Sequence, residues 1–158
     1  VVSSGFTTHG GALGMTTGAT DVSIDSCSMR NNGGNGINTF IVGGNAQVDI
    51  NNTNLNTNNL GLNFSNSTKG SISNSLVNGN TTGIQAASAS LAVRASTISH
   101  NTTGVFASTG SNVRIMDSFV SNNGTGLSVS GGTLTSHISN VFAGNTANGA
   151  PSASVVLQ

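Results

Sequence analysis

Ile24, Ile50, Ile72, Val93, Ile115 and Ile138 form a column of branched apolar residues at steps of 26, 22, 21, 22 and 23. Five residues after each stand Met29, Leu55, Val77, Ile98, Val120 and Ala143. A third column couples glycine to an apolar residue at Gly36-Ile37, Gly61-Leu62, Gly83-Ile84, Gly104-Val105 and Gly126-Leu127. Columns sharing one period near 22 residues mark a repeat architecture. In such a fold a unit too small to bury its own apolar face stacks on copies of itself.

Within each unit the apolar residues alternate, as in Val48-x-Ile50, Leu91-x-Val93 and Val113-x-Ile115. They alternate again after the glycine, in Leu62-x-Phe64, Ile84-x-Ala86 and Leu127-x-Val129. A period of two is the signal of a strand, and no segment holds a helical period through three turns. Short strands at about 3.3 Å per residue, separated by Asn, Gly and Ser turns, close one coil, and coils stack ~4.8 Å apart. The expected fold is therefore all-β: a parallel β-helix (β-solenoid) of six to seven coils with about 22 residues per coil. One domain spans 1–158, with 150–158 as a C-terminal tail or cap.

Asn58, Asn80, Asn101 and Asn123 each stand three residues after the Leu55 column, and Asn32 is their equivalent in an earlier coil. Asparagine tolerates the left-handed backbone of a tight turn. Its amide also donates and accepts, so identical amides stacked at one strand spacing can bond into a ladder. The glycine that follows is expected to let the chain bend sharply into the next strand. A column of small residues, Cys27, Thr53, Ser75, Ser96 and Ser118, lies three after the Ile column and is expected to line a tight inner corner. Cys27 reads there as a buried thiol rather than a nucleophile. The triplets Asn80-Thr-Thr82 and Asn101-Thr-Thr103 fall on the ladder turn, so their reading is structural rather than as sugar acceptors.

With this coil length and Asn column the chain resembles the right-handed parallel β-helix proteins of the pectate-lyase-like superfamily, over nearly its whole length. It looks similar to secreted β-helix-repeat proteins of bacteria that have no assigned activity, and the ending GNTANGAPSASVVLQ resembles theirs. The resemblance implies right-handed coiling, as parallel crossovers generally have. It also implies an extracellular or cell-surface location. Relatives open with a signal peptide and a capping helix, whereas this chain starts at Val1 in mid-repeat, as part of a longer precursor would.

Charge is scarce: four Lys plus Arg, four Asp plus Glu, and zero net charge. Four cations make no electrostatic footprint for nucleic acid. No run approaches the ~20 apolar residues of a membrane span. The resemblance raises polysaccharide chemistry, for which a lyase would need acidic Ca²⁺ ligands and a basic residue, and an inverting hydrolase two carboxylates about 6.5–9.5 Å apart. Asp25 and Asp49 face outward on successive coils, one strand up and two residues along, hence roughly 8 Å apart between Cα atoms. They are the catalytic candidates, against the plainer reading of two solvated surface aspartates. Arg94 and Arg114 repeat that geometry, with Asp117 close to Arg114, and are candidates to grip the carboxylate or sulfate of an acidic glycan. Arg30 and Lys69 are read as lying on other turns. His9, His100 and His137 fall on different coils with no carboxylate or cysteine beside them, so no metal set is expected, and no cofactor motif appears.

Sugar binding without catalysis usually presents exposed aromatic faces. Phe40, Phe106 and Phe119 are expected to point outward, while Phe119 and Phe142 are expected to share a column on adjacent coils. The tail, with Val155, Val156 and Leu157, would cover that pair. Ice binding wants a flat threonine array. The outward columns read Asn38, Asn63, Gln85, Phe106, Ser128 and Ser23, Asp49, Ser71, Ala92, Arg114, His137, and neither is one. The favoured expectation is a non-catalytic extracellular scaffold whose sparsely charged coils associate with other copies, laterally or end to end into a filament. The alternative is a polysaccharide-binding or polysaccharide-degrading β-helix, with ice binding a minor one.

Overall fold

A computed structural model of the chain describes residues 2–4, 7–9, 13–17, 21–42 and 46–156, with side-chain surroundings described over 21–39 and 46–156. Each coil contributes three strands. The first holds β1 (Val2–Ser4), β2 (Thr7–His9) and β3 (Leu13–Thr17), and the second β4 (Asp21–Asp25), β5 (Ser28–Arg30) and β6 (Asn35–Val42). Then follow β7 (Gln47–Asn51), β8 (Asn54–Asn56) and β9 (Leu60–Ser65), and β10 (Lys69–Ser73), β11 (Leu76–Asn78) and β12 (Thr82–Ala87). The next two coils are β13 (Ser90–Arg94), β14 (Thr97–Ser99) and β15 (Thr103–Ser108), and β16 (Asn112–Met116), β17 (Phe119–Ser121) and β18 (Thr125–Ser130). A last turn adds β19 (Thr133–His137), β20 (Val141–Ala143) and β21 (Ala153–Val155). Every named strand pairs in parallel with its equivalents, giving sheets of eight, seven and six strands along the three sides. The first side (β1, β4 and so on to β21) is called side one below, and the others sides two and three.

The apolar columns fill the interior. Ile24, Ile50, Ile72, Val93 and Ile115 are fully buried and in register. So are Met29, Leu55, Val77, Ile98 and Val120. The outward column Asn38, Asn63, Gln85, Phe106, Ser128 also pairs as its spacing implies.

The last turn departs from the expected columns. Ile115 pairs with Ser136, not Ile138, and Val120 with Phe142, not Ala143. Ile138 is 60% exposed. Arg114 has Thr135 beside it rather than His137. The step from β16 to β19 is shorter by two residues than the spacing of isoleucines suggests, because backbone pairing and not residue type sets register. The tail forms a strand too: β21 pairs with β19 on side one and so continues the sheet.

The corners show how the coil turns. The residue before each ladder asparagine takes the left-handed conformation: Asn31, Thr57, His100 and Asn122 at φ of 56, 56, 55 and 54°, and Gly79 and Gly144 at 68 and 66°. Asn32, Asn58, Asn80, Asn101 and Asn123 do not, so tolerance of left-handed backbone is asked of their predecessors. The asparagines are held by bonding instead. Asn80 Oδ1 accepts from the Asn58 backbone N–H and Nδ2 at 2.8 and 3.1 Å, and Asn80 Nδ2 donates to Leu55 O at 3.0 Å. The same pattern joins Asn32 to Asn58, Asn80 to Asn101, and Asn101 to Asn123. It runs one step beyond the expected ladder, to Asn145.

The glycine after each ladder corner serves close approach, not bending. A Cβ on Gly104 would stand 2.6 Å from the Gly126 carbonyl and 3.2 Å from Asn123 Nδ2. Gly104 is not among the residues with positive φ.

The small-residue corner proves to be a second ladder. The backbone N–H groups of Thr53, Ser75 and Ser96 donate to the hydroxyls of Ser75, Ser96 and Ser118 at 3.0, 3.2 and 3.3 Å. Each hydroxyl donates to the carbonyl two residues back, as Ser96 Oγ does to Arg94 O at 2.7 Å. Cys27 heads this column, 3% exposed, its Sγ directed at Asp25 O.

Candidate functional site

Side one carries the chemistry because its strands alternate strictly. Val22, Val48, Leu91, Val113 and Leu134 turn inward, so the residues on either side of each turn outward. Asp21 and Asp25 project from β4, Asp49 from β7, Lys69 from β10, Arg94 from β13 and Arg114 from β16. Three of the four acidic and three of the four basic residues thus share one face. Lys69, read from the sequence as lying elsewhere, belongs here. It stands three before Ile72, as Ser90 stands before Val93 and Asn112 before Ile115. Counting back from the Ile column finds it. Arg30 lies on side two.

Asp25 pairs in register with Asn51, and Asp49 with Ser23, so the two carboxylates have the diagonal offset that the spacing implies. Their oxygens are occupied. Asn51 Nδ2 and Ser26 Oγ donate to Asp25 at 2.7 and 2.9 Å, and Ser71 Oγ and Gln47 Nε2 to Asp49 at 2.8 and 3.2 Å. Both carboxylates are therefore knitted into a surface network of neutral donors.

Arg94 and Arg114 hold the corresponding offset three coils on, since Ala92 pairs with Arg114 and Arg94 with Met116. Neither arginine ion-pairs with a described carboxylate, Asp117 included. A shallow groove of about 320 Å³ opens over the small Ala92, lined by Lys69, Ser90, Asn112 and Arg114 among others. Lys69 and Arg114 bring two cationic side chains to a lining that also includes Gly70, Leu91 and Ala92. Two cationic groups at one groove suit a carboxylate or sulfate.

The two phenylalanines do not form the expected stack. Phe119 pairs with Val141 and is 49% exposed, whereas Phe142 follows Val120 on the inner side and packs against the core. Leu76, Thr97, Phe119 and Val141 instead make an outward column on side two. Among the described residues the tail pairs with β19 on side one rather than over this column. Pro151 and Ser154 meet Leu127, His137, Ile138 and Phe142 around a second cavity of about 320 Å³ at the end of the core. Phe106 is half-buried and outward on side three. The side chain of Phe40, His9 and the last tail residues 157–158 lie outside the described residues. Among the described residues no three His, Cys, Asp or Glu gather as a metal site.

No curated protein and no solved structure gives a match to this chain. A family model described as a right handed beta helix region matches residues 4–147. The parallel coils, the stacked inward columns and that match agree, and the chain belongs to the right-handed beta helix family.

Proposed function

We propose that this protein is a non-catalytic, extracellular structural β-helix: a rod that serves as a scaffold. The observation that carries the reading is the pair of side-chain ladders, one of asparagine and one of serine and threonine, which bind successive coils along the rod. Such ladders spend buried polar side chains on rigidity rather than on a site. The candidate acids point the same way, since their oxygens already accept from neighbours. Placement near the pectate-lyase-like proteins and export from the cell belong to this proposal, supported by the coil length and the sparse charge. End-to-end association extends the same parallel pairing from one chain to the next.

A second reading, binding of an acidic polysaccharide, is favoured by the groove between Lys69 and Arg114. One experiment separates the readings from catalysis. The chain is incubated with a panel of acidic and neutral polysaccharides, and new reducing ends and unsaturated products are measured. No turnover is expected. Turnover that disappears in Asp25→Asn or Asp49→Asn would overturn the scaffold reading.

A further inference from the structure

The charges of side one are sorted by sign along the rod. Asp21, Asp25 and Asp49 occupy the two strands β4 and β7, and Lys69, Arg94 and Arg114 occupy β10, β13 and β16. Nothing in the fold demands this. The core and both ladders lie elsewhere, and any polar residue satisfies an outward strand position. The other outward residues of the face carry no Asp, Lys or Arg, and many are short: Ser23, Ser71, Ser73, Ser90, Ala92, Thr133 and Thr135, beside the longer Gln47, Asn51, Asn112 and Met116. A face that is acidic at one end and basic at the other complements its own image turned end for end.

The register allows the turn to be specified. A two-fold axis lying in the face, along the strands and midway between β10 and β13, sets β7 opposite β16 of a second copy and β4 opposite β19. The same strand position then faces the same strand position. Asp49 meets Arg114, and Asp25 lies over the end of β19. Lys69 lies over Ser90, Arg94 over Ser73, and Ser71 over Ala92, where two small side chains let the faces approach closely. No two like charges oppose. A parallel arrangement, with the axis along the rod, instead lays Asp49 on the same strand as Asp49 of the second copy and Arg114 on that of Arg114. Juxtaposed like charges count heavily against an arrangement.

We propose that side one is a self-complementary face on which a second copy of this chain docks antiparallel. The contact is lateral, and it stands whether or not rods also join end to end. Six strands ~4.8 Å apart and three outward residues wide bury roughly 400–500 Å² on each copy. That total of roughly 1,000 Å² is at the small end for protein contacts, so the dimer is weak and depends on charge.

The test is sedimentation equilibrium of the full chain in about 20 mM and about 500 mM salt, where exposed charges are respectively felt and screened. The expected result is a concentration-dependent dimer at low salt that dissociates at high salt. Asp49→Arg and Arg114→Glu should each weaken it about tenfold or more. The double variant carrying both substitutions should recover it, because the exchanged pair faces itself with signs reversed. These residues are exposed, and unchanged circular dichroism checks that the variants fold. A wild-type chain that stays monomeric at low salt overturns the proposal. So does a double variant no tighter than the single ones. Retention of a monomeric chain on a sulfated polysaccharide, abolished by Arg114→Glu, would overturn it in favour of the acidic-glycan reading.

Discussion

The coils from β7 to β18 and the turn built from β19, β20 and β21 follow one plan, but only the first group keeps it in its side chains. In the inner coils every inward position of side one near the isoleucine column is apolar, as at Ile50, Ile72, Val93 and Ile115. In the last turn the position falls to Ser136. The serine ladder changes there as well. Ser118 N–H donates to Asn140 Oδ1 at 3.0 Å, and Asn140 Nδ2 donates to Ile115 O, His137 O and Ser136 Oγ at 2.7, 2.8 and 3.0 Å. One asparagine thus meets two carbonyls and a hydroxyl at once where the apolar interior stops. The asparagine ladder, by contrast, runs through to Asn145 unchanged in bonding but only partly buried. A repeat is held to its pattern where neighbours press from both faces, and it is free to drift where water reaches one of them.

Substitutions matched between the two regions test this. The largest contrast is expected in the isoleucine column. Ile115→Asp buries a carboxylate with no partner and should cost more than about 4 kcal/mol, enough to unfold the chain, while Ile138→Asp should change stability by less than about 0.5 kcal/mol. Urea denaturation followed by circular dichroism reads both, and a folded Ile115→Asp protein would break the comparison. Next comes the asparagine ladder. Asn101→Ala strands the donors of Asn80 and the carbonyl of Val77 in the interior, for a loss of about 3 kcal/mol. Asn145→Ala removes an equal number of bonds beside solvent and should cost about 1 kcal/mol. Equal losses at the two sites would mean that position along the rod does not matter. The smallest expected effect is at the serine corner, where Ser96→Ala removes one accepted and one donated bond. A decrease of about 1 kcal/mol is expected, with faster amide exchange at Ser75 as the local sign.

Much of this was legible from residue types because a ladder requires the same residue at one spacing. The five asparagines and the inward columns through Val120 could be placed without coordinates. So could the offset of Asp25 and Asp49, since alternation fixes which side of a strand a residue takes. Lys69 was missed for a different reason. Its column holds Gln47, Ser90, Asn112 and Thr133, amides and hydroxyls of four different residue types, so no repeated residue marks it as one of the face. The pairing expected for Phe119 and Phe142 failed where the apolar column itself lapses, because Ile138 offers the right residue at the wrong register.

The sequence by itself determined the solenoid, its period and its interior, because a unit of this size can bury apolar side chains only by stacking on its like. The tertiary structure alone decided the register of the last turn, the path of the tail and the company each charge keeps. Register is chosen by backbone hydrogen bonds, which are the same for every residue. Only where an apolar or ladder side chain must also fit does the choice leave a trace in the sequence.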